Sequence, residues 1–395
     1  MGHNGDSVEA CLIDFGSTFT KVMIVDIEKA KVVARAKAVS TVEKNVMIGL
    51  EKALSELKIS RESLSEKFCY KLACSSAAGG LRMIAIGLVP ELTAKAARRA
   101  ALGAGARVLN TFSHKLTPSE IEQIENQSPD IILLAGGTDG GEKKTIIFNA
   151  NALAESRIQV PIVIAGNKEA SGEVESILKE KGKDVRVTEN VLPMLGELNI
   201  EPAKEVIRNI FMERIVEAKG LGETREFVDI LMPTPAATLK AAELLANGTK
   251  EETGLGEILV VEVGGATTNV YSIAEGMPTQ TRTILKGLKE PHSKRTVEGD
   301  LGVRVSAESL LAVAGKERII KNLEAELNGS VDFDIENFVR NLSHNIGVIP
   351  HLKDEYAIDT ALAQVAVETA IERHVGSIEG FFSPCLLYTS DAADE

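Results

Sequence analysis

The chain has 395 residues, a hydrophobic share of 44%, and 57 Asp and Glu against 44 Lys and Arg, for a net charge of −13. This composition belongs to a globular chain of two or three domains and excludes a mostly disordered one. The acidic balance, the lack of Trp and a 4% aromatic content oppose phosphate-backbone binding and base stacking, so no nucleic-acid partner is expected.

The predicted elements begin with three strands in the first forty residues: ACLIDFG, KVMIVDIE and KVVARAKAVST, joined by tight turns. Asn45 to Leu57 reads as a helix with Val46, Leu50, Ala53, Leu54 and Leu57 on one face. KFCYKLACSS follows as a strand and Glu91 to Leu102 as an alanine-rich helix. DIILLA is a buried-strand run that ends in GGTDGG. A helix over Lys143 to Ser156, a strand at PIVIA and a helix over Gly172 to Lys181 continue the alternation, which implies a parallel or mixed sheet covered on both faces. Glu201 to Gly220 reads as helical. Pro233 and Pro235 mark a break before a helix from Ala236 to Leu245. After a linker near Asn247 to Gly256 the strand pattern restarts with GEILVVEVGG and a returning strand over Ala266 to Ile273. PTQTRTIL is a candidate third strand, and Asp359 to Arg373 closes the chain as a helix. A strand–turn–strand opening thus occurs twice.

The first opening carries Asp14, Phe15, Gly16, Ser17, Thr18, Phe19, Thr20 and Lys21. A strand-end carboxylate is placed to hold a hydrated magnesium ion, and glycine lets the backbone approach an anion. The hydroxyls, turn N–H groups and Lys21 suit phosphate. A plain polar hairpin turn is the competing reading. The second opening repeats the grammar with Glu262, Val263, Gly264, Gly265, Ala266, Thr267, Thr268 and Asn269, and two such turns could clamp a di- or triphosphate. A third candidate is Gly136, Gly137, Thr138, Asp139, Gly140 and Gly141 at a strand's carboxyl end, where open α/β sheets bind ligands. There Asp139 is a candidate for orienting water or reaching a metal, or else an exposed turn residue. Asn167 faces the same cleft or caps a strand end. The proposed catalytic set is Asp14, Asp139 and Glu262, with Asp14 also the metal ligand.

DFGSTFTK and EVGGATTN resemble the two phosphate loops of the actin, Hsp70 and sugar-kinase superfamily. LLAGGTDGGEKKTIIFNANALAES, PIVIAGN, PTPAATLKAAELLANG and EVGGATTNVYS, in this order, resemble the glutamate mutase accessory protein family, called MutL or GlmL and unrelated to mismatch-repair MutL. The resemblance covers about residues 10 to 382. It implies an α/β fold of two ribonuclease-H-like domains, with mixed sheets flanked by helices around a nucleotide cleft. The first domain would span 8–250 with insertions, and the second 256–382, truncated. It further implies ATP or ADP with Mg2+ as cofactors, subunits of adenosylcobalamin-dependent glutamate (methylaspartate) mutase as partners, and an ATPase-like reactivating role. Two alternatives stay open: a sugar-kinase-like or hydantoinase-like enzyme, with Asp139 as base, and a non-hydrolysing scaffold.

The sequence departs from the superfamily pattern in two ways. Glu262 and Asn269 stand where the second phosphate loop usually carries Asp, which disfavours tight metal geometry. No Gly-Gly pair follows Gly264-Gly265 to form an adenosine loop. Residues 383–395, SPCLLYTSDAADE, resemble a translated sequencing adapter and are set apart from fold reasoning.

The weaker signals are quickly read. Cys11, Cys69, Cys74 and Cys385 form no CxxC pair, Cys11, Cys69 and Cys74 read as buried thiols, and the six histidines show no metal spacing. Lys95, Arg98 and Arg99 read as a solvated basic face, while His292, Lys294 and Arg295 suit either a cleft or a partner surface. No apolar run approaches the roughly 18 residues of a membrane span, and the start lacks a basic segment followed by an apolar one. A cytoplasmic protein without a membrane partner is expected.

Overall fold

A computed structural model describes residues 8–16, 18–41, 44–76, 81–214, 228–277, 288–327, 329 and 334–376. Strands β1 (Glu9–Phe15), β2 (Phe19–Asp26) and β3 (Lys31–Val39) form the expected antiparallel meander. β4 (Tyr70–Ser75) then runs parallel to β1, and β10 (Asp229–Pro233) parallel to β4. The sheet order is β10-β4-β1-β2-β3, the ribonuclease-H arrangement. Its topology brings the carboxyl ends of β1, β4 and β10 to one edge, beside the first turn.

Alternation of side chains along β1 turns Cys11, Ile13 and Phe15 inward. They meet Leu50, Ala53 and Leu54 of α1 (Val46–Glu56) in one apolar cluster. Asn45 caps α1 by accepting the Met47 N–H at 2.8 Å.

Between β4 and β10 the chain builds a second sheet. β5 (Arg82–Gly87), β6 (Arg107–Ser113), β7 (Ile131–Leu134), β8 (Ile162–Ile164) and β9 (Val185–Val187) pair in parallel in the order β6-β5-β7-β8-β9. This is the flavodoxin-like order. Every residue of β7 is fully buried, as a parallel strand covered on both faces requires. One face packs on the helix Lys95–Gly103, whose Ala96, Ala97, Ala100 and Ala101 join the core of the first sheet. The other face packs on the helices Lys144–Glu155 and Lys168–Glu180. The βα alternation read from the sequence is therefore a complete inserted sheet.

β11 (Ile258–Val263), β12 (Thr268–Ile273) and β13 (Ser293–Glu298) form a third sheet in that order. The candidate strand PTQTRTIL lies outside the described residues. The helix expected from Ala236 starts earlier, at Thr234, and runs to Asn247; Pro235 sits in its first turn, where a missing N–H costs nothing. The helices Ala307–Ala314, Lys316–Leu327, Ile335–His344 and Lys353–Val375 share one apolar cluster. The chain divides into two compact units, Met1–Val260 with Tyr271–Arg295, and Val261–Val270 with Thr296–Glu395. Among the described residues no helix is long and apolar enough to cross a membrane.

Two basic runs far apart in sequence converge in the first unit. Arg99, expected on a solvated face, is buried: it ion-pairs with Glu290 and donates to the Lys289 carbonyl at 2.8 Å. Lys95 and Lys294 stand 3.8 and 3.3 Å from the same carboxylate, and buried Arg295 donates to the carbonyls of Leu102 and Ala106 at 3.1 and 2.9 Å. Only Arg98 keeps the exposed position expected of it. Burial opposes ionisation of Glu290, but Arg99, Lys294 and Lys95 together hold its carboxyl below the usual range.

Glu290→Ala is expected to lower unfolding free energy by roughly 3 kcal/mol at neutral pH, because it strands a buried guanidinium. Urea denaturation across pH checks this. A depressed carboxyl stabilises the fold above its unfolded pKa of about 4.3, so the gap between variant and parent should close as pH falls below that value.

Candidate functional site

The first turn is shaped by its glycine. The Gly16 N–H donates to the Phe19 carbonyl at 3.1 Å, and a Cβ on Gly16 would lie 2.5 Å from that oxygen. Ser40, just past β3, braces the turn from beneath. Its N–H donates to the Thr18 carbonyl at 2.8 Å and its hydroxyl to the Gly16 carbonyl at 2.7 Å. Thr20 is buried with its hydroxyl 3.1 Å from that of Ser40, so it supports the turn from inside. Ser17 lies outside the described residues.

The second turn has the same construction. The Gly264 N–H donates to the Thr267 carbonyl at 2.9 Å, and a Cβ on Gly264 would lie 2.9 Å from that oxygen. The chain past β13 supplies the brace: Val303 N–H, Arg304 N–H and the Ser306 hydroxyl donate to the carbonyls of Gly264, Gly265 and Ala266 at 3.0, 2.9 and 2.8 Å. Arg304 is itself fixed by a two-point ion pair with Asp359 at 2.6 and 3.0 Å. Gly302 lies against Ala266, where a Cβ would come within 2.4 Å of the Ala266 carbonyl carbon. Thr268, like Thr20, is buried, and its hydroxyl donates to the Leu301 carbonyl at 2.6 Å.

In a trans peptide the carbonyl of one residue and the N–H of the next point opposite ways. Drawing the carbonyls of Gly264, Gly265 and Ala266 toward the brace turns the N–H groups of Gly265, Ala266 and Thr267 to the other side. Successive N–H groups on one side make a concavity suited to an anion. Each turn thus spends one threonine hydroxyl, that of Thr20 or Thr268, and its carbonyls inward. Glu262 closes β11 at the position that Asp14 holds on β1, and Asn269 matches Lys21.

Asp14 sits where three parallel strands end. It pairs across the hairpin with Lys21, whose Nζ lies 3.1 Å from Oδ2. The Thr234 hydroxyl donates to Oδ1 at 2.8 Å, and the Cys74 thiol lies 3.6 Å from the same oxygen. Burial, and after it the Asp14 charge, pushes the Cys74 thiol up to about 12, so it stays protonated at neutral pH. Burial pushes Cys11 up to about 12 as well, whereas Cys69, expected to be buried, is exposed. Among the described residues no group of three or more His, Cys, Asp and Glu could hold a metal by itself. A magnesium ion at Asp14 would take its remaining ligands from phosphate oxygens and water.

Sequence reading passed over Thr234 and the place of Cys74. The available signal was a threonine between Pro233 and Pro235, directly after an apolar strand.

The GGTDGG loop closes the inserted sheet instead of meeting Asp14 at the first. Gly137 has φ +72°, and a Cβ there would fall 1.9 Å from the Glu142 carbonyl oxygen. The Gly141 N–H donates to the Thr138 carbonyl at 2.9 Å, and Gly140 turns with φ +74°. Asp139 accepts from the Lys168 N–H at 3.0 Å and the Asn190 amide at 2.9 Å, and Asn190 also donates to the Gly137 carbonyl at 3.0 Å. Glu142 accepts the Thr145 N–H at 3.0 Å and Asn167 the Glu169 N–H at 3.0 Å. The helix starts here are therefore served by the chain's own carboxylates and amide. Asp139 ties the loop to the helix Lys168–Glu180, and Asn167 is the cap.

The family described as MutL protein matches residues 10–391. Protein MutL of Clostridium tetanomorphum is 53% identical over 374 residues, covering 94% of this chain and 80% of the relative. Among solved structures the chain is similar to an activator of 2-hydroxyisocaproyl-CoA dehydratase from Clostridium difficile with bound ADPNP. That match covers 46% of this chain and 89% of the other, at 12% identity and a TM-score of 0.15. It is also similar to a Ppx/GppA family protein of Aquifex aeolicus, over 93% and 92% of the two chains, at 11% identity and a TM-score of 0.22. Those TM-scores are too low for a residue-by-residue correspondence.

Alkylation followed by peptide mass mapping checks the thiol assignments. At pH 8 exposed Cys69 should label readily, while Cys74 and Cys11 resist and gain reactivity about tenfold per pH unit, since the thiolate is the nucleophile. Equal labelling of Cys69 and Cys74 at pH 8 would contradict the burial of Cys74. Thr268→Val removes a buried hydroxyl donor and should cost about 1–3 kcal/mol in denaturant unfolding.

Proposed function

The chain belongs to the MutL protein family, the glutamate mutase accessory family that its motifs resemble, and on that premise we propose that it is a nucleotide-binding accessory factor. It takes ATP or ADP with Mg2+ and acts on the subunits of an adenosylcobalamin-dependent glutamate (methylaspartate) mutase in the cytoplasm. Its two ribonuclease-H-like domains are assigned to 8–250 and 256–382.

The observation that carries this reading is the matched construction of the two turns, each with a required glycine, a carboxylate two residues before it and a buried threonine four residues after it. The N–H groups of Gly265, Ala266 and Thr267 hold phosphate oxygens, and Gly16 with Thr18 forms the first phosphate turn. Lys21 is the mobile cation: its side chain is 59% exposed and leaves Asp14 for phosphate without disturbing the core. Asp14 fits a magnesium site through Oδ2: Thr234 and Cys74 engage Oδ1, and Oδ2 is paired with the exposed Lys21 ammonium. Magnesium, when bound with the nucleotide, offsets the negative charge of its phosphates. Nucleotide occupancy then drives domain closure, and release drives opening, which acts on the mutase.

Glu262 and Asn269 favour slow hydrolysis or none, a scaffold that reports which nucleotide is bound. The kinase alternative would need Asp139 as its base, and Asp139 accepts from Lys168 and Asn190 through one carboxylate oxygen in the inserted sheet.

Calorimetric titration of Mg-ATP and Mg-ADP is the test. Asp14→Ala should abolish measurable binding while leaving the unfolding transition in place, because the residue sits at a strand end with a partly exposed side chain. An Asp14→Ala chain that binds Mg-ATP like its parent would sink the proposal.

A further inference from the structure

Resting on the nucleotide reading, we infer that Thr234 is a positioning residue for the Asp14 carboxylate, assisted by Cys74, and that it couples the occupied site to the helix Thr234–Asn247. An aspartate at the end of a strand has a free χ1 and χ2, and its two oxygens interchange. Here Oδ1 receives the Thr234 hydroxyl at 2.8 Å and faces the Cys74 thiol at 3.6 Å, so the carboxylate is held by one oxygen and turned to present the other.

Both donors are delivered by strand register. Asp14 is the parallel partner of Cys74, and Ser75 that of Pro233, the residue before Thr234. They therefore move only if the parallel half of the sheet moves.

A structural role for the hydroxyl is the alternative, and the local chemistry argues against it. Thr234 follows Pro233, which occupies the cap position of the helix and makes no side-chain capping bond. Thr234 is the first helical residue, past the cap position from which a threonine side chain takes the helix's own N–H groups. This one reaches across 220 positions of sequence to Asp14. The partner that completes the pattern is Lys21: its ammonium sits on Oδ2, the oxygen Thr234 leaves open, on a side chain 59% exposed to solvent. A divalent cation brought by nucleotide would be held through Oδ2, with Lys21 free to swing to phosphate and Thr234 keeping Oδ1 in place. Through that bond Asp14 is tied to the first residue of a fourteen-residue helix.

The test compares Thr234→Val, which keeps the shape and removes the hydroxyl, with Thr234→Ser, which keeps the hydroxyl. Mn2+ binding to the nucleotide-loaded full chain is followed by electron paramagnetic resonance, and nucleotide binding in EDTA by calorimetry. Thr234→Val should weaken Mn2+ about 10–100-fold, the range for losing an orienting partner of a metal ligand, with little change in the EDTA arm. Thr234→Ser should return Mn2+ affinity to near the parent value. Unchanged Mn2+ affinity in Thr234→Val, or equal losses in both arms, overturns the inference and leaves the nucleotide reading intact. If the parent chain takes nucleotide in neither arm, the nucleotide reading fails and the inference falls with it.

Discussion

A trans peptide points its carbonyl and its N–H in opposite directions, so whatever holds the carbonyls of a turn decides where its N–H groups look. In this chain that task falls to the segment just past the third strand of each hairpin sheet. Ser40 takes the carbonyls of Gly16 and Thr18, while Val303, Arg304 and Ser306 take those of Gly264, Gly265 and Ala266. The glycines follow from the same constraint, because the N–H of each meets a carbonyl so closely that no Cβ fits. Residues that look like phosphate ligands therefore divide into two kinds. Thr20 and Thr268 build the turn from inside, and the backbone of 265–267 faces outward.

The ribonuclease-H order of the first sheet does the rest at Asp14. Three parallel strands end together: Asp14 and Cys74, each one residue before a strand's last, and Thr234, the residue after β10, supply the carboxylate, the thiol and the hydroxyl that meet there. Each is delivered by backbone register, which limits positional freedom without any dedicated side-chain scaffold. Among the described residues the cluster joins one carboxylate, Asp14, to one well-exposed cation, Lys21.

The inserted sheet shows how one sequence pattern serves a different end. GGTDGG follows a buried strand and precedes a helix, the setting of many phosphate loops. Yet Glu142, Asp139 and Asn167 already occupy the helix starts around it. The N–H groups of Thr145, Lys168 and Glu169 beside the loop are thus taken by the chain's own side chains, the acceptors that a helix start favours. Its glycines serve the turn: Gly137 takes a left-handed φ with the Glu142 carbonyl packed where a side chain would be.

The alternation of apolar residues and the two repeated openings were legible in the amino-acid order, because side-chain period and turn chemistry are local properties of the backbone. They located β1, β2, β3, β7, β8, β11 and β12, the paired glycines, and Asp14 and Glu262 at matching strand ends. The same order left open which strand joins which sheet, since a βα repeat carries no record of its neighbour in space. Hence Asp139 was grouped with Asp14 although it closes another sheet, and Arg99 was placed in solvent although residues 288–295 cover it. Thr234 lies 220 positions from Asp14, and only the parallel register of β1, β4 and β10 brings its hydroxyl to that carboxylate. Periodicity and turn residues set the local conformation; the long-range ladders of hydrogen bonds decided which of those local pieces share a site.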